Sequence, residues 1–365
     1  MYKKVLLVNK EGKEFIGWTT DDFLPATGEL IFNTAMTGFV EILSDPSYVN
    51  QIVTFTSSHI GNYGLSKEDF ESEKPRVNGA IGNSFTNNPS SWRSEQPITS
   101  WLKEHKVPFS GGFDVRSITS HLRDSGSSMF AMGTGVNSIE LMDLLNTSVD
   151  IVGDNSALKA GRGDYDTAFA QNKIGIIDLG TKQSIINVVE NNGFETLLLN
   201  PEITADEILS LNLIGLIISN GPGDPRSLVD VVSTVKNLIG KLPLFGICLG
   251  HQILSLACDL NVSKLNFGHH GSNHPVKVSG IKKALITSQN HGFSVEFGSN
   301  KEKHSEFGEI EQYAVNLNDG SNEGISIWES NAYSVQFHPE SGPGTTDGLE
   351  LFNPFFKMIR EKIGS

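Results

Sequence analysis

The chain has 365 residues, enough for two hydrophobic cores, and its 38% apolar and 19% charged content is that of an ordinary globular protein. A net charge of −14 argues against a nucleic-acid partner, which needs a basic face, and no apolar run reaches the ~20 residues of a membrane span. Two cysteines make no disulfide framework, and the opening apolar run meets Asn9 and Lys10 before a signal-peptide core can form, so the expected location is cytoplasmic.

Residues 1–150 read as a mixed α/β domain. Strand patterns fall at 3–8, 29–33, 51–56 and 77–82, with turn residues between them. Residues 98–106 read as a helix ended by Val107 and Pro108. A second helix follows Asp114, with Ile118 and Leu122 on one face and Gly126 as its stop, and a third spans 138–145. His59, His105 and His121 are isolated and form no catalytic constellation. Residues 151–172 are polar and Gly-rich, including Ala160-Gly-Arg-Gly-Asp164, and read as a linker.

From residue 173 the pattern alternates as a doubly wound, mostly parallel α/β sheet does. Strands are expected at 174–179, 194–199, 213–219 and 242–247, and helices at 181–191, 228–239 and 249–259. Thr204-Ala-Asp-Glu207 has the form of a capping box opening a short helix. Short strands and turns are expected after 261, and a closing helix at 348–362.

The chemistry gathers at strand ends of this second half. Cys248 lies at a strand-to-helix hinge, with Gly246 two residues before it and Gly250 two after. That bend needs small neighbours, projects the side chain from the sheet rim, and places it at the positive end of a helix dipole, which favours a thiolate. A buried structural cysteine is the alternative for this residue, and it is the reading for Cys258, ten residues on among Leu254, Leu256 and Ala257. Downstream, Phe337-His-Pro-Glu340 ends an alternating strand. Residues two apart in an extended backbone share a face, so Glu340 can orient and charge the His338 ring. A strand-end histidine beside a solvated glutamate is the plainer reading of that pair. Ser219-Asn-Gly-Pro-Gly-Asp-Pro225 follows another strand of the same sheet and can converge on Cys248, and Gln252 faces the same mouth one helical turn on. Leu249, directly after Cys248, can supply a backbone N–H to an oxyanion. His269, His270 and His274 have ligand-like spacing, but no Cys, Asp or Glu lies among them, so no metal site is assigned.

Gly246-Ile-Cys-Leu-Gly-His-Gln252 with His338-Pro-Glu340 resembles the class I (triad) glutamine amidotransferases. Ser219–Pro225 and Gln289-Asn-His-Gly-Phe293 narrow the resemblance to the small, glutamine-hydrolysing subunit of carbamoyl phosphate synthetase. Phe32-Asn-Thr-Ala-Met-Thr-Gly-Phe39, Glu41-Ile-Leu-Ser-Asp-Pro-Ser-Tyr48 and His59-Ile-Gly-Asn62 are similar to that family's N-terminal domain, so the resemblance runs through nearly the whole chain. It implies Cys248, His338 and Glu340 as a catalytic triad. It implies Ser47, Gly221, Gly223, Leu249, Gln252, Asn290, Gly292 and Phe293 as the glutamine-binding set, with Gly221 as a second oxyanion donor. It further implies a large synthetase subunit as partner. With no phosphate-binding G-x-x-x-x-G-K-[ST] loop in this chain, ATP and Mg are expected on that partner and no cofactor here. The segment 150–172 and Phe113-Asp-Val-Arg116 depart from the family's wording, away from the chemistry. A glutaminase serving another synthetase, and a non-enzymatic regulatory scaffold, are the competing readings. Against the first stands the N-terminal domain; against the second, three filled catalytic positions.

Overall fold

The computed structural model describes residues 2–148, 150–163, 165–168, 170–298 and 302–364. The chain divides into two compact units, Met1–Asp154 with Asn266–Gly271, and Asn155–Leu265 with Ser272–Ser365. No helix among the described residues is long and apolar enough to cross a membrane.

The first unit contains strands β1 (Lys3–Asn9), β2 (Glu14–Thr19), β3 (Ala26–Asn33), β4 (Gln51–Phe55), β5 (Gly79–Ile81), β6 (Phe109–Ser110) and β7 (Ser128–Thr134). Its helices are α1 (Phe39–Ser44), α2 (Ile98–Glu104), α3 (Val115–Ser125) and α4 (Ser138–Asn146). The strands form one mixed sheet ordered β2-β1-β7-β3-β4-β5-β6. Alternation along β1 sends Val5 and Leu7 into a core with Phe130, Ile118 and Leu122, and Leu6 and Val8 into another with Leu141 and Leu145. Both faces of β1 are therefore buried. The Asp114 side chain accepts the Ser117 N–H to open α3, and Gly126, at φ 89°, closes it.

The second unit contains α5 (Ala157–Ala160), β8 (Ile174–Ile177), α6 (Gln183–Asn191), β9 (Thr196–Leu199), α7 (Ala205–Ser210), β10 (Gly215–Ile218), α8 (Val229–Leu238), β11 (Leu244–Ile247) and α9 (Leu249–Ala257). Then come β12 (Asn261–Val278), whose Asn266–Gly271 stretch is counted in the first unit, β13 (Leu285–Glu296), β14 (Glu302–Ser305), β15 (Gly308–Asn316), β16 (Asn322–Ile327), β17 (Ala332–Val335) and α10 (Asn353–Gly364). The parallel part runs β9-β8-β10-β11-β17, the 2-1-3-4-5 order of a doubly wound sheet, and β16, β15, β12 and β13 extend it. The carboxyl ends of β8, β10, β11 and β17 thus lie side by side along one rim.

Three expectations change. The region after 261 is built on two long strands, β12 of 18 residues and β13 of 12, rather than short ones; the glycines within them, Gly268, Gly271 and Gly292, do not end either strand. The closing helix begins at Asn353, after a 3-10 segment Thr346–Phe352. Residues 151–172, read as a linker, are no free tether. Ala157 and Ala170 lie in the core of the second unit, and the Arg162 N–H donates to Asp178 Oδ2 at 2.9 Å, beyond the end of β8. Small apolar residues scattered among polar ones hid that docking. Asp164, the last residue of the Gly-rich motif, lies outside the described residues.

Candidate active site

Cys248 occupies the single residue between β11 and α9, at φ 55° and ψ −102°, a region that costs an L-residue of order 1–3 kcal/mol. The flanking glycines explain how the bend fits. A Cβ on Gly246 would sit 2.5 Å from the Gly250 carbonyl oxygen, and a Cβ on Gly250 would sit 2.0 Å from that of Ile218. The bend is pinned by the Cys248 N–H donating to Val335 O at 2.9 Å and the Gly250 N–H donating to Ser219 O at 3.0 Å. The His251 and Gln252 amides both turn back to Cys248 O. Leu249, first in the helix, has no intrahelical acceptor for its own N–H. The cysteine is 2% exposed, and its Sγ lies 3.5 Å from Asn290 O.

His338 follows β17 and is tied to β13 by its N–H donating to Ser288 O at 2.9 Å. Its Nδ1 lies 2.7 Å from Glu340 Oε1, while its Nε2 has no hydrogen-bond partner among the described residues. Glu340 Oε1 also accepts from Lys182 Nζ at 2.9 Å, and the same ammonium reaches Ser341 O at 2.5 Å. Lys182 and Glu340 side chains are 1% and 0% exposed, a buried ion pair with a histidine attached. Burial alone would disfavour a protonated His338. The Glu340 carboxylate and the Cys248 sulfur outweigh both burial and the opposing Lys182 charge, and hold the ring above its ordinary range. Burial likewise pushes the Glu340 carboxyl up, but Lys182 and then His338 pull it well below the usual carboxylate range. The arrangement keeps an anion and a cation on adjacent groups beside the thiol.

The loop after β10 closes the rim. A Cβ on Gly221 would sit 2.2 Å from Leu179 O, so only glycine fits there, and Gly223 has φ 89°. The Lys182 N–H donates to Asn220 Oδ1 and the Leu179 N–H to Ser219 Oγ, which knits the loops after β8 and β10 together. Gln252 Nε2 donates to Phe293 O at 2.9 Å and to Gln336 Oε1 at 3.0 Å. Gly292 differs from Gly221, Gly246 and Gly250: nothing lies within 4 Å of a Cβ built there.

The structure therefore brings Cys248, Leu249, Gln252, Asn290, Phe293, His338 and Glu340 together in the second unit, with Gly221 against Leu249. Ser47 belongs to the first unit, in the 3-10 turn Pro46–Tyr48, its N–H held by Asp45 Oδ1 at 2.8 Å. His291 has structural contacts, with Nδ1 at 2.8 Å from Phe293 O and Nε2 at 2.7 Å from Gln289 Oε1. His251, three residues past the thiol, is fully buried against Ser334 Oγ, and burial depresses it to about 3, so it stays neutral. Cys258 is core, its thiol pushed up to about 12 by burial. Lys182 and Gln336 are the participants that sequence reasoning missed.

Comparison with known proteins agrees with this geometry. The family model for glutamine amidotransferase class-I matches residues 175–358, and that for the carbamoyl-phosphate synthase small chain, CPSase domain, matches 7–132. A carbamoyl phosphate synthase small chain of Bacillus caldolyticus is 39% identical over 356 residues, covering 97% of this chain and 96% of that protein. The chain belongs to the carbamoyl-phosphate synthase small-chain family. Another relative in this family is the pyrimidine-specific small chain of Bacillus subtilis (strain 168), 38% identical over 360 residues that cover 98% of this chain and 97% of that one. The small chain of Staphylococcus epidermidis is 36% identical over 362 residues, 99% and 97% of the two. Both halves of this chain thus lie within the family's length, and the amidotransferase match contains Cys248, His338 and Glu340.

Proposed function

We propose that this chain is the glutaminase subunit of a carbamoyl phosphate synthase, hydrolysing the side-chain amide of glutamine and passing ammonia to a separate large subunit. The observation that carries the reading is the strained Cys248 beside a histidine that Glu340 holds charged, with Lys182 paired to that same carboxylate. The Cys248 thiolate adds to the amide carbonyl. The tetrahedral oxyanion is met by the N–H groups of Leu249 and Gly221, donors worth roughly 3 kcal/mol each. His338 Nε2 gives its proton to the amide nitrogen, ammonia leaves, and a γ-glutamyl thioester remains. His338, now neutral, takes a proton from water as that water attacks the thioester. Glutamate leaves, and the thiolate and imidazolium are restored. Glu340 keeps Nδ1 as the protonated nitrogen throughout, which leaves Nε2 for the shuttle.

Substrate holding follows from donor bookkeeping. Both amide hydrogens of Gln252 are committed, to Phe293 O and Gln336 Oε1, so Gln252 offers its Oε1 as an acceptor, suited to the substrate's α-ammonium. Asn290, Gly292, Phe293 and Gly223 frame the rest. The open space at Gly292 is where substrate comes close, and its φ is not in the left-handed region. Gly292→Ala is therefore expected to raise KM for glutamine about tenfold while leaving the melting temperature within a degree or two, read from steady-state kinetics and thermal unfolding.

The large subunit carries ATP, Mg and bicarbonate chemistry; the small chain works without a cofactor or metal, off the membrane, away from nucleic acid and in the cytoplasm. The decisive experiment measures glutamate release by this chain with and without the large subunit. Glutamine-dependent carbamoyl phosphate formation only by the pair supports the reading. Carbamoyl phosphate formation by this chain alone would refute it.

A further inference from the structure

Gln336 lies one residue past β17, fully buried, two residues before His338. Its side-chain amide faces two groups: Gln252 Nε2 at 3.0 Å and Cys248 Sγ at 3.8 Å. Which end faces which is fixed by the network. Phe293 O is a backbone carbonyl and can only accept, so Gln252 must turn its NH2 toward Phe293 and toward Gln336. Gln336 then presents its oxygen to Gln252 and its N–H to the sulfur. The other oxygen near that sulfur, Asn290 O at 3.5 Å, accepts from a neutral thiol and repels a thiolate.

We propose that Gln336 is a positioning residue that donates its amide N–H to the Cys248 thiolate and ties that sulfur to the substrate-holding Gln252. This rests on Cys248 being the nucleophile of glutamine hydrolysis. When the Gln252 oxygen takes the substrate's ammonium, its amide dipole is polarised and its N–H becomes a stronger donor. Gln336 Oε1 accepts more strongly in turn, and its own N–H donates better to sulfur. Substrate binding at Gln252 is thereby felt at the thiolate through two amides. The main chain of Gln336 is held independently, its N–H donating to Glu323 O at 2.9 Å, so its side chain can be changed with the strand left in place.

The test is the pH profile of kcat/KM for glutamine hydrolysis by the small–large complex carrying Gln336→Met. Removing the N–H donor should lower kcat/KM at neutral pH by roughly 10-fold and move the acid limb, set by thiolate formation, upward by about one pH unit. Gln336→Glu, of the same size, puts a carboxylate beside the sulfur and should move the limb further; it carries the test alone if the Met variant does not fold. An unmoved limb in a folded variant, whatever the loss of rate, overturns the proposal, because lost packing does not change how readily the thiol ionises. Cys248→Ser, assayed alongside, separates the two layers. Hydrolysis surviving that change removes the nucleophile reading itself, whereas its loss together with an unmoved limb removes the role of Gln336 alone.

Discussion

Cys248→Ser is expected to abolish glutamine hydrolysis, lowering kcat on the order of 10⁴-fold or more, with the folded state unchanged. Serine is nearly the same size, and it meets the same backbone at φ 55° that cysteine already tolerates, so no new strain enters. The Val335, Ser219 and Gly250 backbone bonds that pin the bend do not involve the side chain. What changes is the nucleophile. A hydroxyl beside a histidine already held in its protonated form has no base to take its proton, whereas a thiol gives an anion far more readily. Glutamate release by the complex measures the loss, and thermal unfolding checks the fold. Ammonia supplied directly should still support carbamoyl phosphate synthesis by the large subunit. A regulatory scaffold would instead show no change in glutamate release on this substitution, and that outcome would sink the amidotransferase mechanism.

The surroundings of Cys248 were legible because they are local. The glycines at 246 and 250 are dictated by backbone contacts within a few residues, and β11 and α9 are signalled by apolar runs on either side. The capping box at Thr204 and Glu207 and the stop at Gly126 are local in the same sense. Central elements without a period were not legible. Strand β7, between β1 and β3, reads Ser-Met-Phe-Ala-Met-Gly-Thr; it is buried on both faces and so has no alternation to find. Strand β2 was missed because Ile16 and Trp18 on its outer face are themselves apolar and blur the pattern. Lys182 was hidden by distance: its carboxylate partner lies 158 residues away, and a lysine at a helix start reads as solvated. Its one signal was its position just past a parallel strand beside the point where strand order reverses, where an unexplained charge invites a partner. Gln336 offered less, since its meaning depends on which way two side-chain amides turn.

Lys182→Met should be the most destabilising of the site substitutions, by about 3–5 kcal/mol, because it leaves the Glu340 carboxylate buried with one charged partner in place of two. The signature is its dependence on pH. Glu340 has a folded-state pKa below its unfolded value, so it contributes stability above the ordinary carboxylate range and loses it as pH falls toward the folded value. Without Lys182 that depression shrinks, and acid unfolding begins at higher pH. His338 has the opposite sign. Raised in the fold, it contributes stability below its unfolded pKa and loses it as pH rises through the folded one, and Lys182 opposes that rise. The variant's histidine therefore keeps its proton to higher pH, and the alkaline limb of kcat/KM moves upward. The gap in melting temperature between wild type and variant should be widest from about pH 5 to 8 and should narrow below about pH 4, where the variant's Glu340 takes up a proton and no longer needs the ammonium. Thermal unfolding at about pH 3 and pH 7 distinguishes the causes: an equal gap at both would mean that Lys182 does not act through its charge, and the charged trio would lose its place in the mechanism.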